Sequence, residues 1–398
     1  MVRDRPVAQR VSSALWFTFR CLSWCATDRW HPNVARMTPM LGTEPNVGSA
    51  KGFLSSGFLQ ECREASLKTR KELDDLLSSE IPKYASEDTS LVVFGSLARE
   101  EWTSGSDLDW TYLIDGEANP EHLVIAQRIQ RLLKKNQEKF RLPGQTETFG
   151  NMAFSHDIIH QIGGQNDTNK NTTRRILLLL ESVPIGKRTE AHERVIRGVI
   201  ARYVEEDNHR LMPGEKIYRV PRFLLNDIVR FWRTMAVDFA SKQRDRGGEG
   251  WGLRNAKLRM SRKLIFASGL LVCFGANLDP ALQAKISTDS NDIKLQLADH
   301  IRNHMHLTPL AILEKSVGQY DIPDRIAKNV FEPYAEFLQI LDDQASREAL
   351  EALRAEDSRT DPTFQRIRKI SSAFEDALDS IFFENKYVAP LIRKYGVF

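Results

Sequence analysis

Segments with strand-like and helix-like patterns occupy different parts of this 398-residue chain. Short apolar runs rich in β-branched and aromatic residues predict strands at residues 90–94, 107–114 and 146–154. Apolar residues at helical spacing predict a leading helix over residues 59–81 and an amphipathic helix over residues 122–139. All of these strand signals lie in the first half of the chain.

The remainder of the chain has a helical pattern almost throughout. Apolar periodicity predicts long helices at residues 223–242, 256–274, 293–305, 325–342 and 362–383. Strands followed by helices, rather than alternating with them, are typical of an α+β protein. We therefore predict an α+β fold, with a small mixed-sheet catalytic domain at residues 59–190 followed by an all-helical domain at residues 191–398.

The N-terminal segment differs in composition from the rest of the chain. Residues 1–36 contain six arginines and two aspartates, whereas the formal net charge of the whole chain is only +3. We expect residues 1–36 to be an N-terminal extension outside the fold, disordered or read from a start codon too far upstream, with residues 37–58 as a linker. Without this extension the protein is close to neutral, so any binding of polyanions must come from local groups.

Cysteine content and hydropathy indicate a cytoplasmic protein. The four cysteines are too few and too scattered for the disulfide framework of a secreted protein. No apolar run reaches the roughly 18 residues of a membrane-spanning helix, so we expect no membrane partner.

Two short motifs bring reactive side chains to the ends of predicted strands. Gly95 follows the first strand and allows a sharp turn with the backbone close to a ligand, and Ser96 supplies a hydroxyl and an amide at that turn. Asp107 and Asp109 are two residues apart on the second strand, so their carboxylates project from one face while Leu108 points into the core. Neighbouring carboxylates repel each other, and a hard cation such as Mg²⁺ relieves that repulsion. The motifs together predict a phosphate site beside a metal site.

A Gly-Ser turn after one strand with Asp-x-Asp on the next strand resembles the DNA polymerase β-like nucleotidyltransferase superfamily. The resemblance implies that Asp107 and Asp109 are catalytic and bind two Mg²⁺ ions, with Mn²⁺ as an alternative. It implies that Gly95 and Ser96 bind the β- and γ-phosphates of a nucleotide. The implied reaction is in-line transfer of a nucleoside monophosphate from an NTP, such as ATP, with release of pyrophosphate.

Within that superfamily, residues 95–109 look most like the branch of bacterial protein uridylyltransferases and adenylyltransferases. A leucine-rich segment at residues 177–182 and a glycine turn at residues 250–255 resemble two later motifs of this branch, although Asn255 stands where the family has Asp. The resemblance extends over residues 60–275. It favours a protein side chain as the acceptor, with an RNA end or a small molecule as alternatives.

The superfamily usually has a third carboxylate, for which the sequence offers several candidates. Asp157 and Glu181 are the main candidates, and Glu147 on the predicted third strand is another. Asp157 is equally explained as a first-turn helix residue after a Ser155 cap. A site with only Asp107 and Asp109 is the remaining alternative.

Basic residues of the helical domain are candidate phosphate contacts. Arg230 belongs to a polar stripe on the helix at residues 223–242, where it either faces the nucleotide or pairs with Asp227 along the helix. Arg254 and Lys257 follow the glycine turn and either contact phosphate or form a solvated helix face.

The sequence therefore predicts a Mg²⁺-dependent nucleotidyltransferase acting on an acceptor hydroxyl. Two alternatives stay open: a catalytically inactive nucleotide-binding or protein-interaction module of the same fold, and an enzyme that acts on nucleic-acid ends.

Overall fold

The computed structural model describes residues 52–55, 57–142, 149–206, 220–245, 248–279 and 290–396. The predicted extension at residues 1–36 and the candidate carboxylate Glu147 lie outside these ranges.

The first half of the described chain forms a small sheet flanked by helices. Its elements are α1 (Gly57–Glu80), β1 (Thr89–Phe94), α2 (Gly95–Ala98), β2 (Trp110–Ile114), α3 (Pro120–Lys135), β3 (Asn151–Phe154), α4 (Ser155–Ile159), α5 (Asn169–Leu180) and β4 (Ser182–Ile185). The strand order is β3-β2-β1-β4. β1 is antiparallel to both β2 and β4, and β2 is parallel to β3, so the sheet is mixed as predicted.

The two faces of the sheet pack against different helices because alternate strand residues point to opposite sides. Leu91 and Val93 of β1 join a core cluster with Leu73 and Leu77 of α1 and with apolar residues of α3. Val92 of β1 points the other way, into a larger cluster that includes residues of α5 and of the helices in the second half of the chain. The sheet is thus covered on both faces.

The second half of the described chain is helical, as predicted. Its α-helices are α6 (Glu190–Glu206), α7 (Arg222–Asp245), α8 (Trp251–Lys257), α9 (Lys263–Leu278), α10 (Ser290–Met305), α11 (Pro309–Gln319), α12 (Asp324–Asp342), α13 (Gln344–Ala352), α14 (Pro362–Asp379) and α15 (Val388–Tyr395). A π-helical turn at Leu258–Arg262 joins α8 to α9. α9 is buried on all sides, which explains its uniformly apolar sequence. In the described part of the chain, no helix combines the length and the apolar character needed to cross a membrane.

Two predicted strand boundaries differ from the structure, and one strand was not predicted. β2 begins at Trp110 rather than at Asp107, and within the described residues the third strand covers only Asn151–Phe154. The unpredicted strand, β4, follows directly on the leucine-rich end of α5 and contains Pro184. β4 is an edge strand that pairs only with β1, which is the position where a sheet tolerates proline.

Candidate active site

The turn after β1 brings the backbone of Gly95 against the carboxylate of Asp109. Gly95 has φ of +68°, and a Cβ added there would lie 3.0 Å from Oδ2 of Asp109. The amide of Phe94 donates to the carbonyl of Asp109 at 2.9 Å, which fixes the two segments side by side. Glycine at position 95 therefore makes room for the carboxylate and adopts a backbone conformation that other residues rarely adopt.

The two aspartates lie in the segment that leads into β2. Leu108 between them is fully buried, and its amide donates to the carbonyl of Arg141 at 2.7 Å. Asp107 and Asp109 line one cleft of about 100 Å³, together with Gly95 and Ser96. Arg141 forms an ion pair with Asp107, with 3.2 Å between Nε and Oδ1. The structure thus brings together the four residues of the two sequence motifs.

The surroundings of Asp109 disfavour the ionised form of its carboxyl group. Burial raises the pKa of Asp109 to about 6, and the charges of Glu181 and Asp107 add to the rise. Lys257 and Arg262 oppose it. The ionised form of Asp109 is therefore poorly stabilised by the protein alone, and a bound cation would stabilise it.

A basic wall of the cleft comes from the helical half. Lys257 at the end of α8, Arg262 in the π-helical turn and Arg347 on α13 all line the cleft. Burial lowers the pKa of Lys257, and the charge of Arg347 adds to this effect, whereas Asp107 opposes it. The cleft therefore has an acidic wall, Asp107 and Asp109, from the sheet half of the chain. Its basic wall, Lys257, Arg262 and Arg347, comes from the helical half.

Glu181, one of the candidate third carboxylates, lines the same cleft but is engaged by Arg99. Nη1 of Arg99 bonds to Glu181, while its Nε and Nη2 each lie 2.8 Å from Oε2 of Glu101. The hydroxyl of Tyr334 on α12 donates to Oε1 of Glu101 at 3.0 Å. All four side chains are nearly or fully buried, so this Arg99 cluster joins the sheet domain to α12.

A second contact joins the loop before Asp107 to the end of α12. The amide of Ser104 donates to Oδ1 of Asp342 at 2.8 Å, and the Ser104 hydroxyl donates to the Asp342 carbonyl at 3.0 Å. The loop that carries Asp107 is therefore fixed to the junction between α12 and α13.

Two other candidates, Asp157 and Arg254, lie away from the cleft lining. Asp157 is exposed in the first turn of α4, where it accepts from Nε2 of Gln161 at 3.1 Å. Arg254 lies on α8 with Nη1 beside Gly250, where an added Cβ would be 3.0 Å away.

Arg230 lies in a separate ionic network on α7. Its Nη1 is 3.1 Å from Oδ2 of Asp167, and the same carboxylate accepts from Nη2 of the fully buried Arg175 at 2.9 Å. Arg175 also contacts Asp227 at 2.7 Å. Arg230 therefore helps to hold α7 against α5.

The residues of the cleft fit a magnesium ion held by two carboxylates. Within the described ranges, no three His, Cys, Asp or Glu side chains come together as ligands of one metal ion. Mg²⁺ is commonly bound through one or two carboxylates together with substrate phosphates, so a third protein carboxylate is not required. Asp107 and Asp109 supply oxygen ligands of this kind.

A larger cavity of about 450 Å³ lies beyond Glu181. It is lined by Ser182 and His192, whose Oγ and Nε2 are 2.8 Å apart. The Ser182 hydroxyl also donates to the carbonyl of Leu178 at 2.6 Å. Burial lowers the pKa of His192 to about 4, and the charge of His306 adds to the effect. His192 is therefore neutral at physiological pH.

One comparison with known proteins bears on this cleft. Residues 70–143 match the nucleotidyltransferase domain family. The match contains Gly95, Ser96, Asp107 and Asp109, and it supports nucleotidyl transfer as the general chemistry of the cleft. It does not separate the uridylyltransferase-like branch from others. No curated protein matches the chain.

Sequence reasoning missed several groups at this cleft. Tyr334 and Arg347 lie more than two hundred residues from Asp107 in sequence, and no local pattern marks them. Arg99 and Glu101 adjoin the Gly-Ser motif, and two oppositely charged residues so close to the predicted sharp turn were a usable signal of an internal ion pair.

Proposed function

We propose that this protein is a Mg²⁺-dependent nucleotidyltransferase that moves a nucleoside monophosphate from an NTP to an acceptor hydroxyl. The observation that carries the proposal is the acidic pair Asp107 and Asp109, which lies against the Gly95 turn within the matched domain. The basic wall supports it, because the positive charges of Lys257, Arg262 and Arg347 suit the negative charge of a triphosphate.

The reaction forms one phosphorus–oxygen bond and breaks another. The acceptor oxygen bonds to the α-phosphorus, the bond from that phosphorus to the bridging oxygen of the β-phosphate breaks, and pyrophosphate leaves. The hydroxyl proton passes to solvent. Bound Mg²⁺ would withdraw charge from the phosphate oxygens and favour loss of that proton.

The chain's own residues bind and orient the reactants. Asp107 and Asp109 would hold the metal ion, and Gly95 and Ser96 would lie against the β- and γ-phosphates. Lys257 would contact the phosphates from the helical side. Glu181 acts as a partner of Arg99 rather than as a metal ligand. We propose a protein side chain as the acceptor, because the sequence resembles the uridylyltransferase-like branch.

The decisive test is a labelling assay with the full chain. Purified protein is incubated with each α-labelled NTP and Mg²⁺, with total protein, total RNA and small metabolites offered as separate acceptor pools. We expect release of pyrophosphate and label in the protein pool. The Asp107→Asn/Asp109→Asn double variant should lose both signals, while Asp157→Asn, which removes an exposed carboxylate outside the cleft, should keep them.

Each alternative has its own result. Label in the RNA pool alone would replace the proposed acceptor by a nucleic-acid end. A wild-type protein that binds NTP but releases no more pyrophosphate than the double variant with any pool would contradict the enzyme and favour an inactive binding module.

A further inference from the structure

Arg347 is a buried cation that lines the candidate active site from the helical half of the chain. It lies on α13, is only 6% exposed, and shares the cleft with Asp107 and Asp109. Burying a guanidinium is costly unless a negative group offsets its charge. The contacts of the Arg347 side chain therefore show which groups offset its charge.

The protein fixes the Arg347 side chain on two sides. Its Nε donates to Oε1 of Glu351, one helical turn later, at 3.0 Å. Its guanidinium also packs directly on Gly105, where an added Cβ would be 2.5 Å from Cδ and 2.8 Å from Cζ of Arg347. Any larger residue at position 105 would occupy the space of the arginine.

The start of α13 is held in place as well. Asp343 caps this helix by accepting from the amide of Ser346 at 2.8 Å. The preceding residue, Asp342, accepts from the amide of Ser104, next to Gly105. The loop that carries Gly105 and the helix that carries Arg347 are thus hydrogen-bonded to each other at the α12–α13 junction, which fixes the position of the guanidinium.

The outer nitrogens of Arg347 have no partner among the residues that the structure describes. Within the described part of the chain, neither Nη1 nor Nη2 donates a hydrogen bond, and the ion pair with Glu351 uses Nε alone. The neighbouring charge at Lys257 is also positive. A planar fork with two free donors in a cleft is suited to two oxygens of one anion.

We propose that Arg347 binds the polyphosphate of the nucleotide through Nη1 and Nη2, so that the helical half supplies a specific triphosphate contact. This inference rests on the proposed function. Two charge-assisted hydrogen bonds would then be lost when the side chain is removed.

The test uses inorganic tripolyphosphate, which has no base or sugar, together with ATP and AMP. Binding to the full chain is measured by isothermal titration calorimetry in Mg²⁺. We expect Arg347→Gln to weaken binding of tripolyphosphate and ATP by about 10-fold to 100-fold, and of AMP much less. Arg347→Lys, which keeps the charge but not the fork, should fall in between. Arg366→Gln removes an exposed arginine paired with Glu336 and should change nothing.

Gly105→Ala provides a variant that keeps the arginine but disturbs its position, because the added Cβ would occupy the space of the guanidinium. It should weaken tripolyphosphate binding, and it allows the test to proceed should Arg347→Gln fail to fold. A purely structural role for Arg347 would lower stability and leave the affinity of every variant that folds unchanged, which would overturn the inference alone. A wild type that binds neither tripolyphosphate nor any NTP would overturn the proposed function as well.

Discussion

The Arg99 cluster offers a quantitative test of how the two halves of the protein are joined. Arg99 neutralises Glu101 and Glu181, and these carboxylates are 1% and 7% exposed. Burial raises the pKa of Glu101, and the charge of Arg99 opposes this rise. Replacing Arg99 by Met keeps much of the side-chain volume and leaves two buried carboxylates without their cation.

The expected cost follows from that uncompensated charge. Removing one partner of a buried ion pair typically lowers the free energy of unfolding by about 3 to 5 kcal/mol, because the remaining charge stays buried. Glu101 keeps the hydrogen bond from Tyr334, which still stabilises its charge in part. We therefore expect Arg99→Met to lower the free energy of unfolding by about 4 kcal/mol, in the middle of that range. Tyr334→Phe removes one hydrogen bond to a charged group and should cost about 1.5 to 3 kcal/mol.

Urea denaturation of the full chain, followed by tryptophan fluorescence, measures these losses. Trp110 and Trp232 are buried in the two halves, so the signal reports on both. Arg366→Met is the control: this arginine is mostly exposed, and its loss should stay within about 0.5 kcal/mol. A loss below about 1 kcal/mol for Arg99→Met would refute the reasoning, since it would mean that Glu101 and Glu181 do not depend on Arg99.

Three further changes have defined outcomes. Gly95→Ala should lower the free energy of unfolding by about 1 to 2 kcal/mol, measured by urea denaturation, because alanine is strained at φ of +68° and its Cβ would contact Asp109. Lys257→Met should weaken ATP binding about tenfold in calorimetry, with little effect on AMP, because it removes a cation from the basic wall. The pKa of His192 is about 4 in the folded protein and 6.5 in the unfolded chain, so the unfolded chain alone takes up a proton between these values. The free energy of unfolding should therefore fall as the pH drops from 6.5 to 4, by up to about 3 kcal/mol, and His192→Gln should remove this part of the pH dependence in urea titrations.

The acidic pair and the glycine turn were predictable because their geometry is local. Asp107 and Asp109 alternate with the buried Leu108, and Gly95 ends the neighbouring strand. The alternation with a buried leucine and one backbone constraint were enough to place these groups together, although the pair lies just before β2 rather than on it. The α+β fold was predictable for a similar reason, since each element has its own periodicity.

The basic wall and the Arg99 cluster were not predictable because they depend on tertiary packing. Whether Arg230 faces a nucleotide or an internal partner is decided by how α7 packs on α5, and its spacing on the helix fits both. The residues around Arg347 in sequence have the pattern of a surface helix, and the side chain packs against Gly105, which lies far away in sequence. β4 escaped detection because four edge residues around Pro184 carry little strand signal.

The helical half is therefore part of the candidate active site rather than an appended unit. The sheet domain alone contains the acidic wall, and its cations near the cleft are already engaged: Arg141 with Asp107, and Arg99 with two glutamates. Lys257 and Arg347, which belong to the basic wall, come from α8 and α13. Since Ser104 and Glu101 bond directly to α12, any displacement of the helices would move the loop that carries Asp107. Binding of a triphosphate between the two walls would in turn favour the docked arrangement, because only that arrangement presents both the acidic and the basic groups to the same anion.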